Sequence, residues 1–85
     1  MDISEVLGLN VKYYRHKKHL TQEQLAERSP FKSPYISLIE RGCTNLTIKN
    51  VQIIADCLKI DPYQLFVMET AKEAKKLPKR VDFLE

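Results

Sequence analysis

Residues 21–42 read TQEQLAERSPFKSPYISLIERG, and their punctuation predicts two short helices separated by a turn that neither can cross. Thr21 suits an N-cap, and Gln24 stands three residues on, where its amide oxygen can return a bond to the capping residue's backbone N–H. Glu23 adds negative charge where the helix dipole is positive. Leu25 and Ala26 then supply a small apolar face. Pro30 lacks an amide hydrogen and stops the helix. Pro34 reads differently, because Ser33 before it is a good N-cap and proline is favoured at the first helical position. A second helix is therefore expected from 34 to about 41. Ile36 and Ile39 share its inner side, with Ser37, Leu38 and Arg41 displaced around the cylinder. Gly42 ends it as a left-handed C-cap.

Leu7, Val11 and Tyr14 recur at intervals of four and three, which predicts a first helix over about 4–18, with Lys12 and Tyr13 facing outward. Beyond Gly42 comes a polar loop, Cys43-Thr44-Asn45. Thr47 then caps a helix whose expected apolar stripe is Ile48, Val51, Ile54, Ala55 and Leu58. Asp61-Pro62, with Gln64 at the capping-box position, opens a last helix over about 62–77, and Pro78 breaks it. Leu65, Phe66 and Met68 give that helix more apolar surface than a small core needs, a common mark of a partner site. The expectation is all-α: one five-helix domain over 1–77 and a tail over 78–85. The apolar pair Phe83 and Leu84 in the tail fits a frayed end or docking against a second subunit equally well.

At 85 residues, 44% of them hydrophobic, the chain has room for a single core of a few helices and none for a two-domain enzyme. No apolar run reaches membrane-span length. Met1 is followed by Asp2 and Glu5 rather than a basic and then apolar leader, so the protein is expected in the cytoplasm. Cys43 and Cys57 are read as two free thiols, the latter partly packed in a helix. His16 and His19 do not form the paired CxxC or HxxxH grammar of a zinc site, and no metal is expected. There is no Ser/His/Asp or Cys/His arrangement with an orienting partner and no pair of carboxylates on one face. With glycine only at positions 8 and 42, no phosphate-cradling loop is available either. The chain is therefore not expected to be an enzyme, to carry a cofactor or to bind a small-molecule ligand. Fourteen Lys and Arg against eleven Asp and Glu leave a net charge of +3, compatible with nucleic acid. The positive charge collects at Lys12, Arg15, Lys17 and Lys18, and again at Lys72, Lys75, Lys76, Lys79 and Arg80.

Helix, short turn and short helix, with apolar residues only where the two must touch, is the layout that sets a helix into a DNA major groove. The chain resembles the XRE-type helix-turn-helix family of phage lambda repressor and Cro. The residues that carry the likeness are Leu20-Thr21-Gln22-Glu23, Leu25-Ala26, Tyr35-Ile36-Ser37, Ile39-Glu40-Arg41-Gly42, Asn45-Leu46-Thr47-Ile48 and the Ile54-Ala55-Asp56-x-Leu58 run. It spans roughly residues 7–66. The short chain and its wording are also similar to restriction-modification controller proteins.

The resemblance implies a lambda-repressor-like DNA-binding domain acting as a sequence-specific, dimeric transcriptional regulator. Its partners would be double-stranded DNA and a second copy of itself, with recognition helices entering major grooves about 34 Å apart on a near-palindromic operator. By resemblance, Gln22 bonds a phosphate and braces the recognition helix, while Thr21, Arg41, Thr44 and Asn45 contact the DNA backbone. Ser33, Pro34, Ser37 and Leu38 fall at base-reading positions, with Lys32 and Tyr35 at the margin. Pro34 and Leu38 can offer only apolar contact, for example to thymine methyls. Packing of Tyr35 on the protein and solvation of Lys32 are the alternatives. Arg15 and Glu40 are expected to form a partly buried ion pair, and residues 60–68, with Ile60, Tyr63, Leu65, Phe66 and Met68, the dimer surface. Three positions depart from the family. Pro30 replaces the glycine of the turn, which must be built differently; His19 replaces a C-cap glycine; and Leu46 stands where proline is frequent. Rival readings are an antitoxin of the same fold whose C-terminal segment binds a protein, and a helical interaction module that has lost DNA binding.

Overall fold

The computed structural model describes residues 1–78; the apolar pair Phe83 and Leu84 lies outside the described residues. The described residues form five α-helices and one short 3-10 helix, with no strand: α1 (Ile3–Lys17), α2 (Gln22–Glu27), α3 (Ser33–Glu40), α4 (Ile48–Leu58), the 3-10 helix (Pro62–Phe66) and α5 (Met68–Ala74). Local chemistry sets most of these limits. The Thr21 hydroxyl accepts from the Gln24 N–H at 3.0 Å, and the Thr21 N–H donates to Gln24 Oε1 at 2.8 Å, closing the box that opens α2. The Thr47 hydroxyl caps α4 by accepting from the Asn50 N–H at 3.0 Å. Helix α3 starts one residue earlier than expected. Lys32 is its N-cap and makes no side-chain capping bond, so Ser33 lies within the first turn beside Pro34.

Three helices end alike. After α3, Gly42 takes φ 70°; its N–H donates to the Ile39 carbonyl and that of Cys43 to the Leu38 carbonyl, both at 3.0 Å. This is the Schellman closure. His19 after α1 and Lys59 after α4 close their helices in the same way, at φ 57° and 58°, without glycine's freedom. Left-handed backbone costs a residue with a Cβ about 1–2 kcal/mol, part of which glycine returns as extra entropy of the unfolded chain. His19→Gly and Lys59→Gly are each expected to stabilise the fold by roughly 0.5–1 kcal/mol, read as a rise of a few degrees in Tm. An unchanged or lowered Tm in both would contradict the strain argument.

The core joins Leu7 and Val11 of α1, Leu25 of α2, Ile36 and Ile39 of α3, Ile54, Ala55 and Leu58 of α4, and Leu65 of the 3-10 helix. Two expectations fail here. Ile48 is 88% exposed; it occupies the first turn of α4, and Leu46 in the preceding loop packs against the core at that end. The second concerns the last helix. It is not continuous, because Val67, at φ −82° and ψ 122°, interrupts it with extended backbone. The cause is Asn10, a fully buried residue of α1. Its Nδ2 donates to the carbonyls of Leu65 and Val67, each at 2.9 Å, and so takes an acceptor that an uninterrupted helix would have used itself. Beyond the break, α5 lies along α1 through the buried Ala71 and Ala74. Lys12 Nζ donates to the Leu77 carbonyl at 3.0 Å, a cation at the helix's negative end. No helix of the described residues is long and apolar enough to cross a membrane.

Candidate nucleic-acid interface

Helix α3 turns Ile36 and Ile39 fully inward and leaves Pro34, Leu38 and Arg41 exposed. Those three recur at four and three residues and so form one outer stripe. Ser33 and Ser37 are half-buried at its edge, and Lys32 is exposed at its start. Thr44, half-buried, and Asn45, exposed, continue from the far end in the loop to α4. At the near end, Lys32, Ser33 and Pro34 share an open groove with Glu23, Ala26, Glu27 and Phe31 of α2 and the turn. Tyr35 stands apart from this group: its ring lies 5.1 Å from that of Phe31 and packs against the core. Thr21 and Gln22 are half-buried at the start of α2.

One negative charge on α3 is kept off this face. Glu40 receives Arg15 Nε at 2.7 Å and Arg15 Nη2 at 2.9 Å, a two-pronged pairing, and Gln22 Nε2 at 3.2 Å. The side chains of Arg15 and Glu40 are 1% and 5% exposed. The remaining arm of the guanidinium donates to the Leu20 carbonyl at 2.8 Å, so the cluster ties α1 to α3 and to the link before α2. Gln22 is thereby joined to α3 through Glu40. Next to the cluster, His16 has a buried Nε2 without a hydrogen-bond partner among the described residues. Its pKa is lowered, first by burial and then by the charges of Arg15 and Lys12, against the pull of Glu40.

The turn between α2 and α3 is made without a left-handed residue, since among the described residues only His19, Gly42 and Lys59 have positive φ. Ser29 does the work of the missing glycine. Its hydroxyl accepts from the Phe31 N–H at 3.0 Å and lies 3.1 Å from the Ala26 carbonyl as donor. The side chain thus stitches the chain on both sides of Pro30.

The expected dimer surface is brought together only in part. Tyr63, Phe66 and Met68 are 67%, 43% and 38% exposed, whereas Leu65 is fully buried in the core and is removed from that surface. Ile60 is half-buried and packs against the core. Cys43 and Cys57 are both free thiols. Burial, and secondarily Asp56, push the Cys57 thiol up; it donates to the Arg28 carbonyl at 3.0 Å and stays protonated. Among the described residues no group of three or more His, Cys, Asp or Glu side chains is placed to hold a metal ion.

Two structural residues, Gly8 and Asn10, escape a reading by apolar periodicity. A glycine inside a helical pattern and a polar residue on the face of Leu7 and Tyr14 were the available signals.

Comparison with known proteins places this arrangement. The family model described as helix-turn-helix matches residues 11–65. Control protein C.SmaI of Serratia marcescens is 39% identical over 72 residues, 85% of this chain and 86% of that protein. The solved restriction-modification controller protein C.AhdI of Aeromonas hydrophila superposes with a TM-score of 0.71 at 33% identity, covering 74% of this chain and 91% of that one. The controller protein C.Esp1396I, solved as a tetramer on its natural 35 base-pair operator, superposes with a TM-score of 0.72 at 34% identity, over 89% of this chain and 99% of that one.

Proposed function

Because the chain belongs to the helix-turn-helix family, we propose that it is a sequence-specific transcriptional regulator that binds a near-palindromic operator in double-stranded DNA as a homodimer, in the cytoplasm. The observation that carries this reading is the outer stripe of α3, Pro34, Leu38 and Arg41, on a helix whose own carboxylate is neutralised by Arg15. A helix so prepared meets a phosphate-lined groove with Lys32 and Arg41 and without the repulsion of Glu40. Ser33, Pro34, Ser37 and Leu38 read base edges, the second and fourth through apolar contact. Thr21, Gln22, Thr44 and Asn45 contact the backbone. Tyr35 acts mainly by packing, in keeping with its contact with Phe31. Residues 1–77 form the binding unit and 78–85 its tail, and Tyr63, Phe66 and Met68 form the centre of the self-association face. The likeness to controller proteins supports regulation of transcription rather than catalysis.

The test is selection of bound duplexes from a random library, followed by titration of the best at several salt concentrations. The expected result is an enriched inverted repeat bound at about 10⁻⁸ M or tighter. Lys32→Ala and Ser33→Ala should change the preferred bases, whereas Arg41→Ala should weaken all sequences alike and reduce the salt slope by roughly 1. Weak binding without an enriched sequence would overturn the assignment.

A further inference from the structure

Phe66 and Met68 are both exposed, at 43% and 38%, while Leu65 beside them is fully buried. An uninterrupted α-helix does not produce that pattern comfortably, because residues two apart point to nearly opposite sides of the cylinder. Across a single extended residue the relation reverses, since positions i and i+2 of extended backbone fall on one side. Val67 is that residue. The break thus leaves Phe66, the last residue of the 3-10 helix, and Met68, the first of α5, exposed on either side of one extended residue, with Tyr63 exposed one 3-10 turn before Phe66.

What holds the break is a closed set of bonds that reaches back to α1. Asn10 uses both amide hydrogens, on the Leu65 and Val67 carbonyls at 2.9 Å. Its oxygen accepts from the Thr70 hydroxyl, which also lies 3.2 Å from the Val67 carbonyl. Asn10 is fully buried, and every polar group of its side chain is satisfied, which makes the geometry specific as well as stable. The Leu65 carbonyl is held by α1, through Asn10, and the Val67 carbonyl accepts from Asn10 as well as from the Ala71 N–H that opens α5, at 3.2 Å. From this we propose that Asn10, oriented by Thr70, is a positioning residue for self-association: it sets the angle between the 3-10 helix and α5 and so builds the Tyr63, Phe66 and Met68 face. The proposal rests on the assignment of that face to a second copy of the chain.

Sedimentation equilibrium of the full chain tests it, with far-UV circular dichroism taken at the same temperature. Because Asn10→Ala strips a fully buried side chain of all its bonds and so threatens the fold itself, the informative variants are at Thr70, which is half-buried and more tolerant. Thr70→Val is expected to keep native helicity and to weaken dimerisation at least tenfold, and Thr70→Ser, which retains the hydroxyl, to restore it to within twofold. A Thr70→Val protein that melts earlier yet dimerises like the parent would overturn the proposal, leaving the bonds a purely stabilising role. So would a Thr70→Ser protein as weak as Thr70→Val. Phe66→Ser distinguishes the underlying assignment. If the parent dimerises and Phe66→Ser leaves its dissociation constant unchanged, the face has been misassigned, whatever Thr70 does. A parent that stays monomeric removes self-association itself.

Discussion

Gly8→Ala is expected to destabilise the protein by roughly 3–5 kcal/mol, a large part of the total stability of a domain of this size. A Cβ at position 8 would stand 2.1 Å from the Ile39 carbonyl oxygen and 3.0 Å from that of Glu40. Both are backbone atoms of α3, so no rotamer change relieves the overlap. Helix α3 must retreat bodily by more than an ångström to reach ordinary van der Waals distance, and the retreat pulls Glu40 from Arg15. The sign makes this a sharp test. In an unobstructed helix interior the same substitution stabilises by about 0.5–1 kcal/mol. Urea denaturation with linear extrapolation separates the two outcomes. A Gly8→Ala protein as stable as its parent would mean that α1 and α3 do not approach as described. Where the variant still folds, it should bind DNA poorly, because the displaced element is the proposed recognition helix.

The second large effect belongs to the ion pair behind that helix. Arg15→Ala is expected to cost about 3–5 kcal/mol, because it strands a carboxylate that is almost sealed from water. The Glu40 side chain is 5% exposed and would keep only the Gln22 amide, at 3.2 Å. Arg15→Lys should recover only part of the loss, since an ammonium cannot reproduce the paired bonds at 2.7 and 2.9 Å or reach the Leu20 carbonyl at the same time. Replacing both partners, Arg15→Met with Glu40→Leu, should be far milder than either single loss, because no charge is left unpaired in the interior. A double-mutant cycle followed by thermal or urea melts measures the coupling. If the double variant loses the sum of the two single losses, the pair contributes independently and the argument from burial fails.

Much of this molecule is legible without coordinates. Thr21 with Gln24 and Thr47 before α4 announce helix starts because a capping bond is local: donor and acceptor are three residues apart and need nothing from the rest of the chain. Gly42 marks the end of α3 for the same reason. The inner side of α3 follows from the spacing of Ile36 and Ile39, and its outer stripe is what remains. The resemblance to the lambda repressor and Cro family draws on those same short-range spacings, and the family match over residues 11–65 agrees with it. The turn is an intermediate case. Pro30 shows that no glycine-style turn is possible, but not that the Ser29 hydroxyl would close it.

The failures share one physical cause. Val67 and its neighbours carry no breaker residue, so a continuous helix over 62–77 was the reasonable expectation. It is interrupted by an amide 55 and 57 positions away in the chain. Ile48 has the spacing of a core residue and lies in water, because the loop bringing Leu46 to the core settles which apolar group fills that end. Leu65 and Phe66 are chemically alike and adjacent, and only the angle of the 3-10 helix against α1 decides which is interior. Gly8 looks like a weak point of α1 until the Ile39 carbonyl is set beside it. By itself, then, the sequence determined the first four helices, the caps that open α2 and α4, the inner and outer sides of α3 and the family. Those depend on interactions within one turn of backbone. Only the tertiary structure decided the break at Val67, the closeness of α1 to α3 and which of the apolar residues over 60–68 are exposed. Each of these depends on a donor, an acceptor or a volume supplied by a distant element, which no local pattern encodes.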